Sequence, residues 1–328
     1  MYNNNTKKTN EKQIQILHDY TTSGKKIDWV DKKKRNLLLA DSYKRLGLKK
    51  SYIVRDCSTL LQYKVFKDGV RKLHGLNSCR DRLCPLCVWR RSLKLFGQVS
   101  KIMNKALENR DYRFIFLTLT CESVQACDLD KTLDDLFKAF KKMSERKIFK
   151  RSVKGWFRAL EITHNLRNDT YHPHFHVILM VNKSYFTDKD YYISQNDWVK
   201  LWKSCLKVDY TPIVDVRAFK ALGEKVVKKS VAEAAKYTVK DNDYLIYGDE
   251  KTTDEIVKTL NYALKGRRLV AFGGELKKIH KVLNLDDIKD GDLVHVNDDD
   301  EVELREDVDY VIESYKWNVG YKQYVKID

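Results

Sequence analysis

Residues 171–181, with the sequence YHPHFHVILMV, constrain the fold more than any other part of this chain. The apolar run at the end of this segment indicates a buried β-strand. Successive side chains of a strand point to opposite faces, so His174 and His176 share one face while Phe175 and Val177 share the other. Two neighbouring neutral imidazoles on a rigid strand can bind one divalent ion. The pair therefore predicts a metal site, with hydrogen-bonded core histidines as the alternative.

A carboxylate lies in the apolar segment just before this strand. Glu161 belongs to residues 156–163, WFRALEIT, which read as a strand, and burial of an unpaired charge is costly. The turn at 165–170 is short, so the two strands are antiparallel neighbours and Glu161 can approach the two histidines. Two imidazoles and one carboxylate with open coordination positions suit Mg²⁺ or Mn²⁺ that also binds phosphate oxygens. The alternative is an ion pair between Glu161 and Arg158 or a lysine.

Four of the seven cysteines have metal-ligand spacing. Cys84 and Cys87 form a Cys-x-x-Cys turn, Cys79 lies just upstream, and Cys57 precedes them by a hairpin-length insert. This pattern predicts a structural Zn²⁺ with four thiolate ligands, although His74 competes with Cys57 for the fourth position. A thioredoxin-like redox site is the rival interpretation, but it requires a βαβ context that this segment lacks. The other three cysteines, without such spacing, read as packing residues: Cys121, Cys127 and Cys205.

Hydrophobic periodicity predicts alternating strands and helices up to about residue 280. The predicted strands, besides the two just described, are 60–66, 70–73, 113–120, 213–219 and 268–272. The predicted helices are a basic helix from Trp89 to about residue 106, then 129–150, 195–206, 230–240 and 254–264. The basic helix is a candidate DNA-phosphate contact or a solvated surface.

A second group of chemically capable residues falls in the predicted helix 230–240. Glu233, Tyr237 and Lys240 are at positions i, i+4 and i+7, which share one helix face. A tyrosine can attack a phosphodiester when a metal activates the phosphate and a cation stabilises the developing charge. The alternative is an ordinary surface cluster in which Glu233 pairs with a lysine of the same helix.

The chain carries a net charge of +17 that is unevenly distributed. Residues 1–280 carry +25 and residues 281–328 carry −8. A basic body indicates a polyanionic partner, most simply nucleic acid, although a lysine-rich solvated surface is the plain alternative. The polar N-terminus and the lack of a long apolar run argue against a signal peptide or a membrane span, so we expect a cytoplasmic protein in which disulfides are rare.

Three segments in order resemble the motifs of HUH endonucleases: LTLT at 117–120, HPHFH at 172–176 and KYTVK at 236–240. More closely, the chain resembles rolling-circle plasmid replication initiators of the Rep type 1 family of Gram-positive bacteria. The resemblance rests also on the upstream C-x4-C-P-x-C-x-W-R-R motif, on Glu161, on Glu233 four residues before Tyr237, and on RRLVAFGGEL at 267–276. It extends from about residue 57 to residue 280.

The resemblance implies an α+β fold with an antiparallel sheet of about five strands flanked by helices, and an upstream zinc-binding module. It implies that the protein nicks one strand of a plasmid origin, both double- and single-stranded DNA being partners. Tyr237 would become linked to the 5′-phosphate, and the free 3′-OH would prime synthesis by a host DNA polymerase behind a host helicase. His174, His176 and Glu161 would hold Mg²⁺ or Mn²⁺, and Lys240 would assist. Glu233 would be the general base of a hydrolytic termination step, and a homo-oligomer is possible.

We expect four segments along the chain. These are a basic N-terminal extension (1–50), the zinc-binding module with its basic helix (51–108), the HUH endonuclease domain (109–280) and an acidic C-terminal segment (281–328).

Three other functions fit parts of this pattern. A relaxase or HUH transposase would share the chemistry but not the cysteine motif. A zinc deaminase pairs its Cys-x-x-Cys with an H-x-E motif, which this sequence lacks. A non-enzymatic zinc-containing DNA-binding repressor would explain the charge and the cysteines, but it would leave Tyr237, Glu161 and the histidine pair without roles.

Overall fold

The computed structural model describes residues 14–21, 24–109, 111–219, 231, 238–296 and 309–327. The strands are β1 (Leu60–Phe66), β2 (Arg71–Leu76), β3 (Tyr112–Thr120), β4 (Val153–Asn165), β5 (Thr170–Asn182), β6 (Val214–Ala218), β7 (Val270–Gly273), β8 (Tyr310–Asn318) and β9 (Gln323–Lys326). The α-helices are α1 (Trp29–Arg45), α2 (Ser51–Asp56), α3 (Pro85–Leu107), α4 (Ala126–Glu145), α5 (Lys147–Ser152), α6 (Gln195–Leu206), α7 (Glu250–Ala263) and α8 (Gly274–Val282).

The larger sheet has five strands in the order β6-β3-β5-β4-β7, and every neighbouring pair is antiparallel. The central strands β4 and β5 are buried along most of their length, so the sheet is covered on both faces. Helix α4 packs its buried leucines on one face, against Phe175 and Val177. Helices α3 and α8 cover the other face, where Ile178 and Met180 lie. The predicted α+β fold with an antiparallel sheet of about five strands is thereby confirmed.

The smaller sheet has the order β2-β1-β8-β9 and is also antiparallel. The predicted hairpin forms, with β1 at 60–66 as expected and β2 running to Leu76 instead of ending at residue 73. Strand β8 pairs with β1 along its length, from Leu60 opposite Lys316 to Phe66 opposite Tyr310. Strands from the acidic C-terminal segment thus complete the sheet of the cysteine hairpin, while the four-segment division of the chain stays a prediction.

Part of the segment predicted as a basic N-terminal extension (1–50) packs into the core. Residues 29–45 form helix α1, and its Trp29, Leu39 and Tyr43 are buried in the core. The sequence does not show this amphipathic pattern, because residues 32–35 are all Lys or Arg and one of them, Lys33, lies on the buried face of the helix. Residues 29–45 are therefore an integral helix of the fold.

Other predicted elements differ from the structure in their bounds or continuity. The helix predicted at 129–150 is two helices, because Arg146 between α4 and α5 adopts an extended backbone. The strand predicted at 268–272 is β7, and α8 follows it directly at Gly274. The helix predicted at 230–240 does not include residues 238–240, since the carbonyl of Thr238 accepts a hydrogen bond from the Ile162 amide at the edge of β4. The rest of that prediction, apart from Val231, lies outside the described residues.

In the part of the chain that the structure describes, no helix is long and apolar enough to cross a membrane.

Candidate active site

The β4–β5 hairpin brings a carboxylate and two imidazoles together on one face of the larger sheet. Glu161 lies opposite His174 in the strand register, and His176 follows two residues later on the same face. The Nε2 atom of His176 is 2.7 Å from Oε2 of Glu161, and the Nε2 atom of His174 is 3.5 Å from the same oxygen. One donor atom from each of the three residues lies within 4.8 Å of the others, and all three residues are buried.

Contacts to the other ring nitrogens orient both imidazoles. Nδ1 of His174 is 3.2 Å from the carbonyl oxygen of His172, and Nδ1 of His176 is 3.5 Å from Oγ1 of Thr118. A carbonyl can only accept, so Nδ1 of His174 carries a proton, and Nε2 is the ring atom that points towards Glu161. The Nε2 atoms of both rings therefore converge on one oxygen of Glu161. This donor set fits a divalent ion. The contacts of the two Nδ1 atoms would orient the histidines, as hydrogen bonds to the second ring nitrogen do in metal sites.

Thr118 is a site residue whose contact the sequence analysis did not identify. It belongs to the LTLT segment of β3 and lies directly opposite His176 in the register. The period-2 pattern of β3 already put Thr118 and Thr120 on one face, but nothing in the sequence showed that this face met the histidines. His172 stacks its ring on that of His174 at a centroid distance of 5.3 Å and is not one of the three clustered donors.

The carboxylate of Glu161 is held in its ionised form. Burial would raise its pKa, but hydrogen bonds from His174 and His176 outweigh this and bring the pKa below its ordinary value. Nζ of Lys240 lies 3.7 Å from Oε1 of Glu161, and its side chain is half exposed. Lys240 thus approaches Glu161 from an irregular segment. The helical spacing from which its role was predicted does not hold for residues 238–240.

Arg158, the alternative partner of Glu161, lies on the opposite face of the sheet. Its guanidinium is 4.4 Å from the ring centroid of Phe137 and 4.6 Å from that of Phe175. Burial lowers the pKa of Arg158 to about 10, and its side chain donates a hydrogen bond to the carbonyl of Arg268. The ion pair between Glu161 and Arg158 is therefore excluded.

Glu233 and Tyr237 lie outside the described residues. Thr238, the next residue after Tyr237 in the sequence, is hydrogen-bonded to Ile162 at 2.7 Å, and Ile162 follows Glu161. Of the tyrosines just downstream, Tyr244 is buried and donates its hydroxyl to the carbonyl of Leu83, whereas Tyr247 is exposed. Tyr244 is therefore unsuited to attack a phosphate.

The four predicted zinc ligands form a second cluster. The Sγ atom of Cys57 is 3.5 Å from that of Cys87 and 3.6 Å from that of Cys84, and Cys79 Sγ is 3.6 Å from Cys87 Sγ. Four sulfurs around one tetrahedral zinc, with Zn–S bonds of about 2.3 Å, would be about 3.8 Å apart. Between the two candidates for the fourth position, the structure brings Cys57 into the cluster, and His74 lies exposed on β2.

The backbone around this cluster is shaped to present amides to sulfur. Ser58 and Arg80, each directly after a cysteine, have left-handed backbones with φ of 51° and 56°. The Arg80 amide donates to Sγ of Cys87 at 3.2 Å, and the Cys79 amide donates to Sγ of Cys57 at 3.4 Å. Hydrogen bonds from the neighbouring thiols lower the pKa of Cys57, so a thiolate is favoured in this position. The donor set suits a structural zinc ion.

Residues far from the motif in sequence support the cysteine cluster. Lys33 of α1 donates to the carbonyl of Cys57 at 2.6 Å, and Asn36 donates its side-chain amide to Sγ of Cys84 at 3.4 Å. Burial lowers the pKa of Lys33 to about 8, with Cys57 and Cys84 opposing the shift. The hydroxyl of Tyr324 in β9 donates to the carbonyl of Ser58 at 2.7 Å. No local sequence signal links these three residues to the cysteines.

Comparison with known proteins places the chain among replication proteins, both by a family model and by individual relatives. The model of the Rep_1 family, described as "Replication protein", matches residues 70–325. A "Protein rep" of Bacillus amyloliquefaciens is 40% identical over 97% of this chain and 99% of the relative. Proteins of the same name from Streptococcus pneumoniae serotype 2 and Lactiplantibacillus plantarum are 37% and 39% identical, over 89% and 87% of this chain and 90% and 91% of their own length. No solved structure matches. The chain belongs to the Rep_1 family of replication proteins and is a plasmid replication initiator of the Rep type.

Proposed function

We propose that this protein initiates rolling-circle replication of a plasmid by nicking one strand of the origin as an HUH endonuclease. The observation that carries the proposal is the buried group of Glu161, His174 and His176 in a chain of a replication protein family. In this group the Nε2 atoms of His174 and His176 converge on one carboxylate oxygen, and two imidazoles with a carboxylate are a donor set that suits a divalent ion. A repressor that only bound DNA would have no use for it.

The nucleophile of the proposed reaction is the phenolic oxygen of Tyr237. It attacks the scissile phosphorus, the bond to the 3′-oxygen breaks, and the departing oxygen takes a proton to become a 3′-OH primer, while Tyr237 stays joined to the 5′-phosphate. A Mg²⁺ or Mn²⁺ ion held by Glu161, His174 and His176 would polarise the phosphate. Lys240, with its half-exposed ammonium 3.7 Å from Glu161, is placed to stabilise charge on the phosphate oxygens.

Termination is assigned to Glu233. A carboxylate near the scissile phosphate can remove a proton from water, so that the last cut at the regenerated origin is hydrolytic and leaves the 5′-phosphate free. The position of Glu233 four residues before Tyr237 supports this role. Replacement of Glu233 by alanine should preserve the first nick and the tyrosyl adduct but give over-length single-stranded products. Unit-length circles from that variant would refute the role.

The cysteine cluster is proposed to hold one structural Zn²⁺ that takes no part in the cleavage. Four sulfurs with backbone amides directed at two of them leave no open coordination position, which distinguishes structural from catalytic zinc sites. We also propose that the origin DNA, a host helicase and a host DNA polymerase are the partners of this protein. We propose further that the protein forms a homo-oligomer, which sedimentation would test.

The test uses single-stranded DNA of the plasmid origin labelled at its 3′ end, incubated with protein and Mn²⁺. We expect a covalent adduct that survives denaturing electrophoresis and maps to Tyr237. Tyr237→Phe should lose the adduct and keep DNA binding, while the control Tyr247→Phe, at an exposed position nearby, should behave as the wild type. His174→Ala and His176→Ala should abolish cleavage without unfolding the protein. Cleavage by Tyr237→Phe, or cleavage after removal of divalent ions, would contradict the proposal.

A further inference from the structure

A cavity of 840 Å³ opens beside the candidate active site. Its walls are helix α3, strand β7, helix α8 and the loop at 284–290, and Thr238 lies on its rim. The lining holds seven Lys and Arg side chains and two carboxylates, together with an apolar strip that includes Val270 and Phe272. Positive charge beside an apolar wall is the combination that binds a nucleotide, through its phosphate and its base.

Three of these cations are available to a ligand. Most of the others already contact protein: Arg82 and Arg91 donate to backbone carbonyls, and Arg267 pairs with Asp130 and Asp134. Arg268, Lys277 and Lys281 are exposed, and within the described part of the chain none of them has a direct ion pair. The cations of the lining outnumber its two carboxylates, so the net positive charge of the cavity favours an anionic chain.

The apolar wall includes a ring pair. Phe272 and His280 lie 5.1 Å apart between ring centroids, and both are half-buried. Burial lowers the pKa of His280, with Asp287 opposing the shift, so the imidazole is neutral near pH 7 and offers an uncharged ring. Flat rings beside a basic groove are the elements on which single-stranded nucleic acids stack their bases.

The cavity shares its sheet face with the candidate metal site. Val270, in the cavity wall, lies opposite Ala159, and Ala159 lies opposite His176. Side chains directly opposite one another across strands share a face, so these three form one row. Two strand spacings, about 10 Å, separate Val270 from His176. On the rim, Thr238 is hydrogen-bonded to the residue after Glu161.

We propose that this cavity holds the single-stranded DNA next to the cleaved phosphate, with a base against Phe272 and His280 and phosphates on Arg268, Lys277 and Lys281. The inference rests on the proposed function, since it names the subsite by which the nicked strand is held. It assigns to β7 and α8 the task of fixing the scissile phosphate near His174 and His176, because a strand bound at both places cannot slide.

The test measures the affinity for a fluorescent single-stranded origin oligonucleotide by anisotropy, without added divalent metal, over a range of salt concentrations. Lys277→Ala and Lys281→Ala are compared with Lys278→Ala, a residue of the same helix that pairs with Glu275 and does not line the cavity. Loss of one phosphate contact should reduce the slope of log K against log salt by about 0.7 and weaken binding roughly fourfold at 0.15 M salt. Lys278→Ala should match the wild type.

A second variant tests the base contact. Phe272→Leu keeps an apolar side chain against Phe157 but removes the ring face, and it should weaken binding by about fivefold or more with an unchanged salt slope. Equal losses for a duplex of the same sequence would overturn the assignment to a single strand. The cavity proposal alone would be overturned if Lys277→Ala and Lys281→Ala had the same affinity and salt slope as Lys278→Ala while the protein nicked normally. Protein that binds through the cavity but never nicks would instead refute the proposed chemistry.

Discussion

Gly274, at the junction between β7 and α8, allows a sharp test of how the cavity wall is attached to the sheet. Its φ is +56°, in the left-handed region that favours glycine. A Cβ added here would overlap the carbonyl oxygen of Lys154 and would lie 2.9 Å from Cα of Gly155, and both are backbone atoms of β4 that cannot rotate away. Substitution by alanine must therefore separate α8 from the edge of the sheet.

The expected magnitude has two parts. A left-handed alanine costs about 1–2 kcal/mol, and the overlap with β4 adds about 1–3 kcal/mol, as in other overpacked sites. Gly266→Ala is the matched control, because Gly266 has φ of +74° with no atom within 4 Å of the added Cβ, so it retains only the first part. The difference between the two variants should thus be about 1–3 kcal/mol in the free energy of unfolding.

The assay is urea and thermal unfolding of both variants. At about 2–4 °C per kcal/mol, Gly274→Ala should melt roughly 2–12 °C below Gly266→Ala. Its affinity for single-stranded DNA should fall as well, because α8 carries Lys277 and Lys281. Equal melting temperatures of the two variants would show that α8 is not held in the tight contact described, and would remove the basis for a rigid cavity wall.

Three further predictions concern the metal sites and the pH dependence. Protein purified without chelators should contain about one zinc per chain by elemental analysis, and Cys84→Ser should lower the zinc content and the melting temperature; full zinc retention by that variant would contradict the four-sulfur site. Tyr324→Phe leaves the Ser58 carbonyl unpaired, so it should cost about 1–2 kcal/mol and speed zinc loss to a chelator, whereas exposed Tyr321→Phe should do neither. Burial lowers the pKa of His280, so below pH 6.5 the unfolded chain binds more protons at this residue and the free energy of unfolding falls with acidification. His280→Gln should reduce this loss of stability, measured by urea titrations at several pH values, and an unchanged dependence of stability on pH would refute the prediction.

The central features of the candidate site could be predicted because they depend on short-range geometry. The two-residue period of β5 places His174 and His176 on one face, and the short turn after β4 brings Glu161 beside them. The spacing of Cys79, Cys84 and Cys87 predicted a cluster in the same way, since one turn sets the approach of two sulfurs.

Contacts that join distant segments could not be predicted from the sequence. Lys33 and Asn36 belong to the segment predicted as a basic N-terminal extension, and only the folded chain shows them at the cysteines. Tyr324 is separated from Ser58 by more than 260 residues, and its hydrogen bond leaves no periodic trace. Lys240 was assigned from a helical spacing that residues 238–240 do not have, although its proximity to Glu161 agrees with the predicted role.

The pairing of β8 with β1 affects the order in which the protein can fold during synthesis. Leu60 and Lys316 are partners separated by more than 250 residues, which a ribosome adds in roughly 10–50 s. Strands β3 to β7 are all made within this interval, so the larger sheet can form while one edge of β1 is still without its partner. An unpaired edge strand is a template for aggregation. A truncated mRNA that ends before the codon of residue 310 would therefore yield chains with a complete larger sheet and an unpaired edge on β1. We expect these chains to aggregate and to be degraded by proteases.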